Sequence, residues 1–101
     1  MSEIVVSDNP AEHRYEARID GELAGFAEYA LRPGSIVFFH TEVDPAFEGK
    51  GVGSTLVRTS LDAVRAAGGR DVVPMCPFYK AWIGKHPEYD DLVNPQFREE
   101  R

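Results

Sequence analysis

Glu48-Gly49-Lys50-Gly51-Val52-Gly53-Ser54 lies between an apolar run, Ile36 to Phe39 with its continuation to Val43, and an amphipathic run that starts at Val52. Glycines at 49, 51 and 53 let the main chain take conformations that a side chain forbids and let it come close to a ligand. A helix starting at Val52 turns its unpaired N–H groups, and the positive end of its dipole, back into this loop. Such a loop is an anion site, and phosphate is the commonest occupant. A plain strand–helix turn explains one or two of the glycines. It does not explain three with Lys50 and Ser54 among them.

Downstream, Val52, Leu56, Val57, Leu61 and Val64 share one helical face, with Ser54, Arg58, Asp62 and Arg65 opposite. Arg58 and Asp62 have the i,i+4 spacing of an ion pair. Gly68-Gly69 ends the helix. Val72 to Cys76 reads as a short strand, and Pro77 to about His86 as a second helix stopped by Pro87. The tail from Tyr89 is polar, and residues 90–101 are expected to fray.

Upstream, Ile4-Val5-Val6 is a short apolar piece followed by the turn-like Ser7-Asp8-Asn9-Pro10. Tyr15, Ala17 and Ile19 alternate with Glu16 and Arg18, the pattern of a half-buried strand. Asp20-Gly21 is a strong hairpin signal, because both central residues of a type I′ turn need positive φ. Leu23 to Leu31 returns as a second strand, with Gly25 as a candidate bulge. Arg32-Pro33-Gly34-Ser35 suits a type II turn. Ile36-Val37-Phe38-Phe39 is apolar on both faces and so belongs inside a sheet. His40 to Val43 continues that strand, and Asp44-Pro45 ends it.

The expected fold is α/β (α+β, one mixed sheet): an antiparallel meander, a right-handed strand–helix–strand crossover and a C-terminal helix. Pro74 cannot donate to a ladder, so the two parallel strands are expected to separate near their C-terminal ends. A gap there, beside a helix N-terminus, is where open α/β sheets hold ligands.

The chain has 101 residues, the length of one domain, and 43% hydrophobic content, ordinary for a globular protein. No apolar run approaches the length of a membrane span. The N-terminus lacks the basic start and apolar stretch of a secretory signal, so a cytoplasmic protein is expected. One cysteine excludes an internal disulfide. The net charge of −6 argues against nucleic acid as a partner. It suits a cationic small molecule or basic peptide, and equally it suits mere solubility.

Two other phosphate motifs fail on this loop. A P-loop needs Ser or Thr after its Lys, and Lys50 is followed by Gly51. A dinucleotide fingerprint needs its third glycine one place later than Gly53. Glu48-Gly49-Lys50-Gly51-Val52-Gly53 instead resembles the Q/R-x-x-G-x-G/A signature of the GNAT superfamily of acyl-CoA-dependent N-acetyltransferases, with Glu48 where the signature has Gln or Arg. His40-Thr41, Cys76-Pro77-Phe78 and His86-Pro87-Glu88-Tyr89, in that order, resemble a subgroup, the YjdJ-type minimal N-acetyltransferases. The resemblance runs from about Arg14 to Tyr89 and implies one minimal domain over residues 1–101.

This resemblance implies acetyl-CoA as cofactor, with its pyrophosphate on the main chain of Glu48, Gly49, Lys50, Gly51, Val52, Gly53 and Ser54. It places the pantetheine arm along Glu42, Val43 and Asp44, and puts Pro77 and Lys80 of the second helix beside the cofactor. Lys80 has the plainer alternative of a solvated helix face. The partner is an amine acceptor, a small molecule such as a polyamine or a protein lysine. Larger relatives build an acceptor pocket from extra helices and a hairpin that this chain lacks. An open, shallow acceptor site on a monomer or weak dimer is therefore expected.

Acetyl transfer requires a proton to leave the ammonium, donors for the carbonyl oxygen and a proton or donor for the leaving thiolate. Cys76 precedes a helix whose dipole favours the thiolate, which would act as base or as nucleophile. A small buried hydrophobe is its alternative role. Tyr79 is a candidate acid toward the thiolate, against the alternative of a core aromatic. Minimal relatives carry Tyr where this chain has Trp82, whose indole donates a hydrogen bond but is no acid. His40 and Glu42 are candidate bases, against the alternatives of a core histidine and a solvated carboxylate. His86 and Glu88 lack a third ligand, so no metal is expected. A non-catalytic acyl-CoA-binding module and a thioester hydrolase are the rival functions.

Overall fold

Asp20 and Gly21 take φ of 52° and 81°, the pair of positive values that the Asp-Gly hairpin demands. Gly34 takes φ of 76° in the next turn. These two turns join strands of a sheet seen in a computed structural model that describes residues 3–98. The strands are β1 (Ile4–Asn9), β2 (Arg14–Ile19), β3 (Glu22–Arg32), β4 (Ser35–Val43) and β5 (Asp71–Pro74), in spatial order β1-β2-β3-β4-β5. The first four are antiparallel, and β5 is parallel to β4. Helix α1 (Val52–Ala67) makes the crossover, and α2 (Pro77–Gly84) follows β5. This is the mixed sheet expected from the sequence.

β1 continues through Ser7 and Asp8 to Asn9, where a turn was expected. The turn comes one step later, at Pro10–Glu12, with Asn9 Oδ1 accepting from the Glu12 amide.

Both helices cover one face of the sheet. Val52, Leu56, Val57, Leu61 and Val64 are buried, as their spacing predicted, and Ser60 joins them. Tyr15, Ala17, Ala27, Tyr29 and Phe38 meet them in the same core. Gly25 is required here first by the neighbouring strand and then by the helix. A Cβ would stand 2.7 Å from the Glu42 carbonyl oxygen and 3.1 Å from Val52 Cγ1. The register skip lies beside it, where Ala17 pairs with Gly25 but Arg18 pairs with Leu23.

Among the described residues, the opposite face carries no helix. Glu16 is only 5% exposed there and accepts from Arg14 Nε at 2.8 Å, Arg18 at 3.1 Å and Asn9 at 3.2 Å. Chiefly the Arg14 hydrogen bond holds its carboxyl below the ordinary range.

Two expectations change. Arg58 and Asp62 do not pair with each other; both engage Tyr89, whose hydroxyl donates to Asp62 at 2.6 Å and accepts from Arg58 at 3.4 Å. Residues 90–98, expected to fray, are tied to the body. Val93 bridges Val72 in parallel, the Asn94 amide donates to the Val72 carbonyl at 2.9 Å, and Arg65 pairs with Asp91 at 2.8 Å. Residues 99–101 lie outside the described residues.

Candidate active site

β4 and β5 pair from Ser35–Asp71 to Phe38–Pro74, and there β5 ends. One further link, the Cys76 amide on the Phe38 carbonyl at 2.9 Å, closes the seam. β4 continues to Val43, bonded to β3 but, among the described residues, with no strand on its other edge. Proline at 74 ends the ladder, and Pro77 two residues beyond Met75 starts α2. A bulge marks the same point on β4: Glu28 faces His40 while Tyr29 faces Phe38, which leaves Phe39 extra and 49% exposed. Bulges re-aim the side chains that follow them.

The glycine loop stands at the open end. Gly49 and Gly51 have φ of 80° and 81°, and a Cβ at either would meet nothing within 4 Å. Gly51 caps α1 without a side-chain bond. The first helical bond is Thr55 N–H to the Gly51 carbonyl at 3.0 Å. Among the described residues, no acceptor takes the amides of Gly49, Lys50, Gly51, Val52, Gly53 or Ser54. Glu48, Lys50 and Ser54 are exposed, whereas the Val52 side chain is buried under Gly25 and only its N–H is available. Free N–H groups at the start of α1, with an exposed lysine and serine, fit a diphosphate.

Gly53 has a second duty. A Cβ there would approach Phe78 Cζ to 2.7 Å, so glycine lets α2 pack on the start of α1. Pro77 is exposed beside this contact. Lys80 is two residues, about 200° around the helix, from Trp82, which faces α1, and it lines a recess with Pro74, Val93 and Arg98.

The catalytic candidates divide between the two faces. Beyond the bulge Ala27 pairs with Thr41 and Gly25 with Val43, on the helix side, while Phe26 pairs with Glu42 and Glu28 with His40 on the bare side. His40 Nε2 is 3.4 Å from Glu42 Oε1, both are about half exposed, and the His40 ring neighbours Phe26 at 6.1 Å. The Arg14 guanidinium covers Phe26 at 4.6 Å. Cys76 is on the helix side, 4% exposed, with Sγ 3.3 Å from Thr41 Oγ1 across the parting strands. Thr41 carried no role in the sequence reading; the bulge, invisible in the sequence, brings it to Cys76.

Tyr79 is fully buried and stacked on Phe38 at 4.4 Å, its hydroxyl 2.7 Å from Ser60 Oγ. Burial raises its pKa well above the ordinary value of tyrosine. A phenol walled in and made less acidic is no proton donor to the cleft, so the candidate acid becomes a core residue. Trp82 donates its indole N–H to Ser54 Oγ at 3.0 Å. His86 is explained by the same residue: it stacks on Trp82 at 3.7 Å, with Nδ1 2.7 Å from the Trp82 carbonyl. An open recess of about 460 Å³, lined by Leu23 to Phe26 and Glu42 to Pro45, completes this end of the sheet. No helix among the described residues is long and apolar enough to cross a membrane.

The same fold occurs in solved acetyltransferases. The ribosomal-protein-S18-alanine N-acetyltransferase of Escherichia coli matches at 17% identity and a TM-score of 0.57, over 71% of this chain and 64% of that one. The ribosomal-protein-alanine N-acetyltransferase of Brucella melitensis biovar Abortus 2308 matches at 19% identity and 0.58, over 87% and 65%. A GNAT-family protein of Desulfovibrio desulfuricans matches at 23% and 0.54, over 74% and 52%. The chain thus spans about half to two thirds of the length of these proteins. No curated protein matches it by sequence. The family model of the GCN5-related N-acetyl-transferases matches residues 14–92. Since that match runs from β2 past α2 and takes in the loop, α1 and the parting strands together, the chain belongs to the GCN5-related N-acetyltransferase (GNAT) family.

Proposed function

We propose that this chain is a minimal, YjdJ-type N-acetyltransferase domain that moves an acetyl group from acetyl-CoA to a primary amine. The observation that carries the reading is the row of unclaimed amides from Gly49 to Ser54 beside the point where β4 and β5 separate. These amides and the α1 dipole hold the diphosphate of the bound substrate. The free edge of β4 beyond Phe38, at Val43, offers main chain to the pantetheine arm, whereas the Asp44 amide and carbonyl are already bonded to the Ala24 carbonyl and the Phe47 amide. Acetyl-CoA supplies the activated acyl group, as a thioester.

In the transfer a C–N bond forms as the C–S bond breaks, nitrogen gives up its surplus protons and sulfur gains one. His40, braced by Glu42 on the bare face, receives the proton of the incoming ammonium. Cys76 serves at the strand parting, where Thr41 can donate to its thiolate or accept from its thiol. The amine enters through the open recess, whose Glu42 and Asp44 carboxylates favour a cation. An open recess suits a protruding amine, a polyamine or a lysine on a protein surface. Action in the cytoplasm, as a monomer or weak dimer, is part of this reading.

The alternative, a binding module without catalysis, is favoured by one observation. On α2, Tyr79 is buried and Trp82 is engaged with Ser54, so neither supplies an acid to the cleft. Incubation with acetyl-CoA and a panel of polyamines and lysine peptides, read by mass spectrometry, separates the readings. An acetylated product is expected. Free thiol without product indicates hydrolysis, and binding without either indicates the module.

A further inference from the structure

We propose that Trp82 is a positioning residue for the anion loop, fixing the Ser54 hydroxyl as a donor to the bound diphosphate. This rests on the reading above that the loop grips coenzyme A. An indole N–H can only donate, so at 3.0 Å the Ser54 oxygen must accept. The Ser54 proton is left over, and among the described residues no acceptor takes it. Ser54 is exposed, in the first turn of α1, on the turn whose amides are unclaimed.

A serine here would otherwise rotate and bond back to a carbonyl of its own helix, spending its proton locally. The Trp82 bond opposes that rotamer. The indole itself is held from several sides. His86 stacks on it at 3.7 Å and 9°, the Arg58 guanidinium lies 5.1 Å from its ring, and Tyr89 is 5.3 Å away. His86 Nδ1 bonds the Trp82 carbonyl at 2.7 Å, and Arg58 reaches the Tyr89 hydroxyl. Segment 82–89 thus orders a donor before the ligand arrives, which spares the ordering cost at binding.

Trp82 is the one tryptophan of the chain, so its indole N–H gives a single resonance in a ¹⁵N-labelled sample. Ser54→Ala is expected to shift that resonance and speed its exchange with solvent in the free protein. Coenzyme A binding by calorimetry then closes the test. Trp82→Phe, which keeps an aromatic ring against His86, and Ser54→Ala are each expected to weaken binding roughly tenfold, about 1.4 kcal/mol. The double variant is expected to bind no worse than either. Additive losses, or a Trp82→Phe protein with lowered melting temperature and unchanged affinity, would overturn the proposal and leave Trp82 a packing residue. Gly51→Asp separates the two readings. If it abolishes binding while Trp82→Phe does not alter it, only the positioning role fails. If the unaltered protein binds no coenzyme A, both fail.

Discussion

The two halves of β4 are neighbours in one strand and live in different surroundings. From Ser35 to Phe38 it is bonded on both edges, and its Ile36, Val37 and Phe38 side chains are buried. From Phe39 to Val43 it is bonded, among the described residues, to β3 alone, and every side chain is at least partly exposed. Nothing in β propensity separates the halves, since Phe39, Thr41 and Val43 are as strand-prone as Ile36 to Phe38. Small interruptions do. Pro74 ends the partner, Phe39 adds a residue, and Pro77 starts a helix instead of more strand. A closed seam supplies stability, and its opening supplies a slot with reactive groups at the rim.

The largest expected effect is confined to the open half. Gly51→Asp puts a carboxylate among the unclaimed amides of the loop. Its left-handed φ and empty surroundings suit Asp better than most residues, so the fold is expected to persist by circular dichroism. Coenzyme A affinity is expected to fall at least about a hundredfold, some 2.7 kcal/mol. Unchanged affinity in calorimetry would falsify the loop assignment.

Cys76→Ala acts at the junction of the halves. Turnover is expected to drop roughly a hundredfold, with coenzyme A affinity kept within about twofold. Full turnover in steady-state assays would return Cys76 to the core, with Thr41 as a packing neighbour.

The closed half was legible from the sequence and the open half only in outline. The Asp20-Gly21 turn, the five apolar positions of α1 and the arrest of the ladder at Pro74 each follow from one local rule. The division of His40 and Glu42 from Cys76 does not. Strict alternation puts His40 on the face of Phe38, and the extra residue at Phe39 reverses that parity. The Trp82–Ser54 bond was hidden for another reason. Trp82 is packed by Tyr89, which Arg58 and Asp62 of α1 hold in place, and tertiary packing imposes that contact where the composition reads as the start of a tail.

Two glycines sharpen the contrast through stability. Gly25→Ala drives a Cβ into the Glu42 carbonyl, which is backbone held in the ladder and cannot yield cheaply. A loss of about 2 kcal/mol is expected. Gly53→Ala meets only the end of the Phe78 ring, which is 44% exposed and able to swing away. Its cost is expected below about 1 kcal/mol, because the clash is offset by the helix propensity gained. Denaturant melts of the two variants check the order, and the reverse order would mean that Phe78 is pinned and Glu42 is free.

Tyr79→Phe gives the smallest effect and decides what the junction contributes. Its hydroxyl meets Ser60, which keeps a second bond to the Val57 carbonyl at 3.0 Å, so the substitution leaves no orphaned group. About 1 kcal/mol of stability is expected to go, with turnover unchanged because the phenol does not face the cleft. The pH dependence carries a sharper signature. Burial raises the folded-state pKa of Tyr79 above that of the unfolded chain, near 10. Its contribution is therefore whole below about pH 10 and lost as pH rises above it, where the unfolded chain ionises first. Tyr29, Tyr15 and Tyr89 are raised as well, so the alkaline fall is expected to become shallower in Tyr79→Phe without disappearing. A variant with an unaltered alkaline limb and reduced turnover would move Tyr79 out of the core and into the chemistry of the open half.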